Sequence, residues 1–193
     1  TSYTVKGFLA SPYSKGFIVV QDNKILLEYY DDSHNEKTRW VSFSVTKSVT
    51  SMLIGAAIKD GFITSVDEPV AHYLPRLRGT PYETATIEDL LHMSSGVKWN
   101  EDYFDPKSDV ARAGGANGIA LVSHLAQLPQ EHTPGEVFNY NTGETNLAGE
   151  ILRSAIGNNA STYLQLKIWQ PFGMEFQANW LLDNLGGGET GGC

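Results

Sequence analysis

Ser44-Val45-Thr46-Lys47-Ser48-Val49-Thr50-Ser51-Met52-Leu53-Ile54-Gly55-Ala56-Ala57-Ile58-Lys59-Asp60-Gly61 is the stretch on which the fold turns. Val45, Val49, Met52, Leu53, Ala56 and Ala57 recur at the three- and four-residue intervals of one helical face, and Asp60-Gly61 supplies a C-terminal stop. The spacing predicts a helix of about four turns. Ser44 and Lys47 stand three apart, which puts a hydroxyl and an amine on one side of its first turn. A serine hydroxyl becomes a nucleophile when a neighbour takes its proton, and a lysine amine can take it where burial leaves that amine neutral. The helix N-terminus also points N–H groups at charge developing on an attacked carbonyl. Lys47, set between Val45 and Val49 on a charge-poor helix, fits that use. The same four residues have a plainer reading, an N-cap serine followed by a solvated lysine.

Working outward, residues 16 to 30 hold two β-branched and aromatic runs around Asp22-Asn23, the pattern of a β-hairpin. Beyond Gly61, Asp67-Glu68-Pro69 opens a short turn or helix that Tyr73-Leu74-Pro75 closes. Thr86 with Asp89 three residues on predicts a capped short helix ended by Ser94-Ser95-Gly96. Residues 97 to 118, aromatic, acidic and Gly-rich, read as an excursion from the core. Helices are expected over 119–128, 146–156 and 163–169, the last stopped at Pro171. Ahead of the helix placed at Asn146, Pro134 to Gly143 reads as a turn, an extended piece and a loop carrying Tyr140. A phenol there can relay protons as base and then acid, or can simply pack with its hydroxyl satisfied.

The 193 residues are 41% hydrophobic and 19% charged, the make-up of a globular protein rather than a disordered one. Fourteen Lys and Arg against 22 Asp and Glu leave a net charge of −8, the wrong sign for following phosphates, so nucleic acid and anionic membranes are excluded as partners. No apolar run reaches the roughly 20 residues of a membrane span. Thr1 to Lys6 lacks the grammar of a signal peptide, although a start without Met leaves room for residues upstream. The single cysteine, Cys193, excludes an internal disulfide and a Cys-based zinc site, and the five histidines show no metal-ligand spacing. Gly186 to Gly191 matches G-x-G-x-x-G, but without a strand before it and a helix after it the match carries no dinucleotide site. The Gly-rich run from 186 to 193 reads as an untied end. A cytoplasmic location is favoured over a periplasmic or secreted one.

Taken in order, the hairpin, Ser44 to Lys47, Asp67-Glu68-Pro69-Val70, Tyr73-Leu74-Pro75, Thr86 to Leu91 with Ser94-Ser95-Gly96, Pro134-Gly135 with Phe138 and Tyr140, and Pro171-Phe172-Gly173-Met174 resemble the serine β-lactamase and penicillin-binding-protein superfamily. Within it, the stretch from Trp99 to Asp105 and the run Asn179-Trp180-Leu181-Leu182-Asp183 resemble the class C-like branch of family VIII carboxylesterases and 6-aminohexanoate-dimer hydrolases. The resemblance implies an α+β fold, an antiparallel sheet flanked by helices with a mainly helical second region. It divides the chain into 1–60 (first strands and nucleophile helix), 61–160 (helical region with the Tyr motif) and 161–193 (return towards the sheet).

It also implies a serine hydrolase acting on a small ester or linear amide, with Ser44 as acyl acceptor, Lys47 as general base and Tyr140 passing a proton to the leaving group. No metal or organic cofactor is implied. Thr142 stands where the family's Tyr-x-Asn motif has its Asn, and would contact the substrate through a hydroxyl instead. Tyr103 and Asp105 are further candidates to face substrate. The family's third motif has no counterpart, since His132-Thr133-Pro134 precedes Tyr140 and lacks the glycine. The expectation is therefore of an N-terminal part, completed by a C-terminal portion of the same fold, either downstream sequence or a second chain. Two rival readings use the same residues: a β-lactamase or D,D-peptidase, and a non-catalytic binding protein that keeps the fold.

Overall fold

The structure, a computed structural model, describes residues 4–113, 118–183 and 187–192. Cys193 and Gly186, the first glycine of the G-x-G-x-x-G match, lie outside them. The architecture is α+β, and the chain divides into two compact units, Thr1–Val41 and Ser42–Cys193.

The first unit is built on a hairpin. Strands β1 (Gly16–Gln21) and β2 (Lys24–Tyr30) pair antiparallel from Gly16↔Tyr30 to Gln21↔Lys24, with a bulge between Val19 and Val20. Asp22 and Asn23, both at positive φ (51° and 59°), make the tight connection whose twist matches that of paired strands. A short helix, α1 (Val5–Leu9), is capped by the Thr4 hydroxyl, and the Tyr29 hydroxyl donates to Leu9 O at 3.0 Å, tying α1 to β2.

The second unit is helical. The predicted nucleophile helix is α2 (Val45–Lys59), which buries Leu53, Ile54 and Ala57 completely. Short helices α3 (Val70–Tyr73) and α4 (Ile87–Leu91) follow, the latter with a full capping box between Thr86 and Asp89, so the acid three residues after the threonine does what the sequence leads one to expect. Next come α5 (Asp109–Ala113), α6 (Gly118–Leu125), α7 (Thr142–Ile156) and α8 (Ala160–Leu164), which runs on into a π-helical turn at Gln165–Trp169. Helix α7 is the hub, in contact with α2, α3, α4, α5, α6 and α8. Its buried residues include the unbroken run from Thr142 to Gly149, so even its polar side chains lie inside.

Three expectations change. Helix α7 starts at Thr142, four residues before Asn146, because Asn141 is its N-cap and accepts a hydrogen bond from Glu144 N at 3.1 Å. Tyr140 thus sits immediately before a helix. The stretch 97–118 is an excursion only in part: residues 114–117 lie outside the described ones and 102–104 are exposed, but Val97, Trp99, Ser108, Val110 and Ala113 are buried, and Trp99 packs so closely on Gly143 that a Cβ there would lie 2.9 Å from its ring. Within the Gly-rich run, residues 190–192 are tied down as well. Thr190, Gly191 and Gly192 are buried, the Thr50 hydroxyl donates to Gly191 O at 2.7 Å, and Gly192 N donates to Asn146 Oδ1 at 2.6 Å. Only glycine allows this approach, since a Cβ at 191 would stand 2.4 Å from Thr145 O.

Candidate active site

The second unit gathers residues far apart in sequence around one amine. Ser44 is the N-cap position of α2, yet its hydroxyl makes no capping bond. Phe43 just before it has φ +44°, a conformation costly for a bulky residue, and this turn delivers Ser44 to the start of the helix. One turn on, Lys47 is buried, and its Nζ donates to Ser44 Oγ at 3.2 Å, to Thr142 Oγ1 at 3.2 Å and to Gly192 O at 2.8 Å. The reading of Ser44 as a plain cap beside a solvated lysine is thereby removed. Lys47 Nζ also stands 5.2 Å from the centre of the Tyr140 ring, so the phenol borders the same amine.

Thr142, expected from the sequence to contact substrate through its hydroxyl, has that hydroxyl engaged within the protein. It is buried, and its hydroxyl is used on both sides: it accepts from Lys47 and donates to Glu101 Oε1. The physical reason is the early start of α7, which makes Thr142 the first residue of a helix packed on α2.

Glu101, absent from the sequence candidates, is half-buried and receives four hydrogen bonds. These come from the Thr142 hydroxyl, Thr142 N at 3.0 Å, the Tyr103 hydroxyl at 2.5 Å and Trp99 Nε1. Burial pushes its carboxyl up, but the bonds from Thr142, Tyr103 and Trp99 outweigh it and hold it below the ordinary value of 4.5. Tyr103 is pushed up to about 12, first by desolvation at its hydroxyl, although the ring is mostly exposed, and then by its bond to Glu101; Tyr140 adds to the rise. Tyr103 therefore reaches the cluster through Glu101. Asp105 does not join it in this way: its Oδ1 accepts from Lys107 N at 2.8 Å and closes a turn of its own loop.

Behind the cap lies a second polar cluster. Glu144 is buried, accepts from the Ser95 hydroxyl and from Asn141 Nδ2 at 3.1 Å, and leaves Oε2 without a partner among the described residues. Burial pushes its carboxyl up to about 8, against the Ser95 and Asn141 bonds, with Asp89 adding to the rise. Among the described residues no group of three His, Cys, Asp or Glu side chains could hold a metal ion, and no helix is long and apolar enough to cross a membrane.

A serine next to a buried lysine at a helix start, with a tyrosine over the same amine, can pass a proton from hydroxyl to amine while the oxygen attacks a carbonyl. The family model for beta-lactamases matches residues 13–177. The chain belongs to the beta-lactamase family. Among family relatives, a 6-aminohexanoate-dimer hydrolase from Paenarthrobacter ureafaciens is 28% identical over 185 residues, 91% of this chain and 47% of that protein. A solved structure from Bacillus anthracis, provisionally given the same enzyme name, has a TM-score of 0.83 at 22% identity, covering 99% of this chain and 53% of the other. A D-alanine carboxypeptidase from Burkholderia cenocepacia follows at TM-score 0.60 and 21% identity, covering 83% and 43%. At those identities the solved structures show the beta-lactamase fold and no more. The chain spans about half the length of these relatives.

Proposed function

We propose that the chain carries the nucleophile and base of a serine hydrolase that cleaves a small ester or linear amide through an acyl-Ser44 intermediate, of the carboxylesterase or 6-aminohexanoate-oligomer amidase type. The observation that carries the reading is the uncapped Ser44 hydroxyl 3.2 Å from the buried Lys47 Nζ. As Ser44 Oγ attacks the carbonyl carbon, its proton passes to Nζ, and the carbonyl π electrons move to the oxygen. Collapse of that oxyanion expels the alcohol or amine, which takes a proton through Tyr140; water then repeats the sequence on the acyl-enzyme. The start of the 15-residue helix α2 turns the positive end of a dipole towards the developing oxyanion, while its Val45, Thr46 and Lys47 N–H groups are engaged by the carbonyls of Ser42, Phe43 and Ser44. The likeness to the Paenarthrobacter enzyme favours a linear amide over a β-lactam.

Ser44→Ala, measured in the whole protein on a p-nitrophenyl ester, is expected to abolish turnover while leaving the melting temperature nearly unchanged, because the lost hydroxyl caps nothing. Retention of more than about 5% of turnover would overturn the assignment of the nucleophile. Parallel assays with nitrocefin and a linear aminohexanoate dimer separate the amidase from a β-lactamase: faster turnover of nitrocefin would overturn the substrate class.

A further inference from the structure

The hydrogen-bond directions around Lys47 raise a question of orientation. An ammonium has three hydrogens to donate, and three acceptors surround this one: Ser44 Oγ, Thr142 Oγ1 and Gly192 O. Once the amine is neutral, it keeps two hydrogens and gains one lone pair. Gly192 O can only accept, so it claims one hydrogen. Thr142 is ambiguous, because a hydroxyl can either accept from the amine or donate to its lone pair. In the second case the threonine competes with Ser44 for the only basic site.

We infer that Glu101 is a positioning residue, whose carboxylate takes the Thr142 hydroxyl hydrogen and so leaves the Lys47 lone pair to Ser44. The inference rests on the acyl-serine reading above. Glu101 Oε1 accepts from Thr142 Oγ1 and Tyr103, and Oε2 accepts from Thr142 N and Trp99 Nε1, so each carboxylate oxygen has two donors. A group held in that way below its ordinary value is ionised at neutral pH and has no hydrogen of its own to offer. Thr142 must then donate to it and turn a lone pair towards Nζ. Trp99, packed on Gly143 in the first turn of α7, keeps the carboxylate in place beside Thr142. With Thr142 and Gly192 both accepting, the remaining direction from Nζ leads to Ser44 Oγ.

The test is a double-mutant cycle in the whole protein, following kcat and KM for a p-nitrophenyl ester together with the melting temperature. Glu101→Gln can present an amide N–H to Thr142 and release its hydroxyl, and Thr142→Val removes the hydroxyl at similar volume. Each is expected to lower kcat about tenfold or more with KM changed less than about threefold, and the double variant is expected to be no slower than the worse single one. Multiplicative losses, an unchanged kcat in Glu101→Gln, or a raised KM at constant kcat would overturn the inference, the last making Glu101 a substrate contact. If Glu101→Gln does not fold, the threonine decides: Thr142→Ser is expected to keep kcat and Thr142→Val to lose it, and equal rates would overturn the inference. Ser44→Ala separates the two levels: an inactive Ser44→Ala beside a fully active Glu101→Gln refutes the positioning role alone, whereas an active Ser44→Ala refutes the reading beneath it.

Discussion

Lys47 Nζ and Thr142 Oγ1, 95 positions apart in the chain, lie 3.2 Å from one another and join the starts of helices α2 and α7. Helix α2 brings to this junction its third residue and α7 its first. The junction places a buried amine beside a serine hydroxyl without using that hydroxyl as a cap.

Lys47→Arg is expected to be nearly as damaging as Lys47→Ala, each lowering kcat/KM by about 100-fold or more. A guanidinium keeps its charge but cannot take a further proton at working pH. Steady-state kinetics on a p-nitrophenyl ester read the difference. An active Lys47→Arg enzyme would reduce the lysine to an electrostatic element and move the base to Tyr140.

Asn141→Ala is expected to cost about 1 to 2 kcal/mol, because it removes the α7 cap. It also takes Nδ2 away from the buried Glu144. Urea denaturation measures the loss. A change below about 0.5 kcal/mol would mean that α7 does not depend on this cap.

Glu144 makes stability depend on pH in a direction opposite to that of a salt-bridged acid. Its carboxyl is raised from 4.5 to about 8 in the folded protein, so the native state holds this proton more tightly than the unfolded state does. The stability linked to it is complete below 4.5 and is lost as pH rises through about 8. Glu144→Gln removes that dependence. Melting temperatures recorded across this window should fall more steeply with pH for the parent protein than for the variant, and parallel profiles would contradict the assignment.

The local features were open to reading because each is written in adjacent residues. The hairpin follows from Asp22-Asn23 between β-branched runs, α4 from Thr86 and Asp89, and the Ser44–Lys47 pair from a spacing of three. The start of α7 is written locally too: Asn141 and Glu144 are spaced like a cap and its third helical residue. Glu101 was not legible. It meets Thr142 from 41 positions away because Trp99 packs on Gly143, and no periodicity records such a contact. The same holds for Gly192, whose carbonyl reaches Lys47 from a run that composition alone reads as an untied end.

The most direct measurement of the central claim is covalent. The whole protein is treated with a fluorophosphonate, its ester hydrolysis is followed, and the adduct is located by peptide mass spectrometry. Inactivation in step with a single adduct on Ser44, slowed strongly in Lys47→Ala, is the predicted result. An adduct on another residue that tracks inactivation, or full hydrolysis with Ser44 modified, would contradict the account.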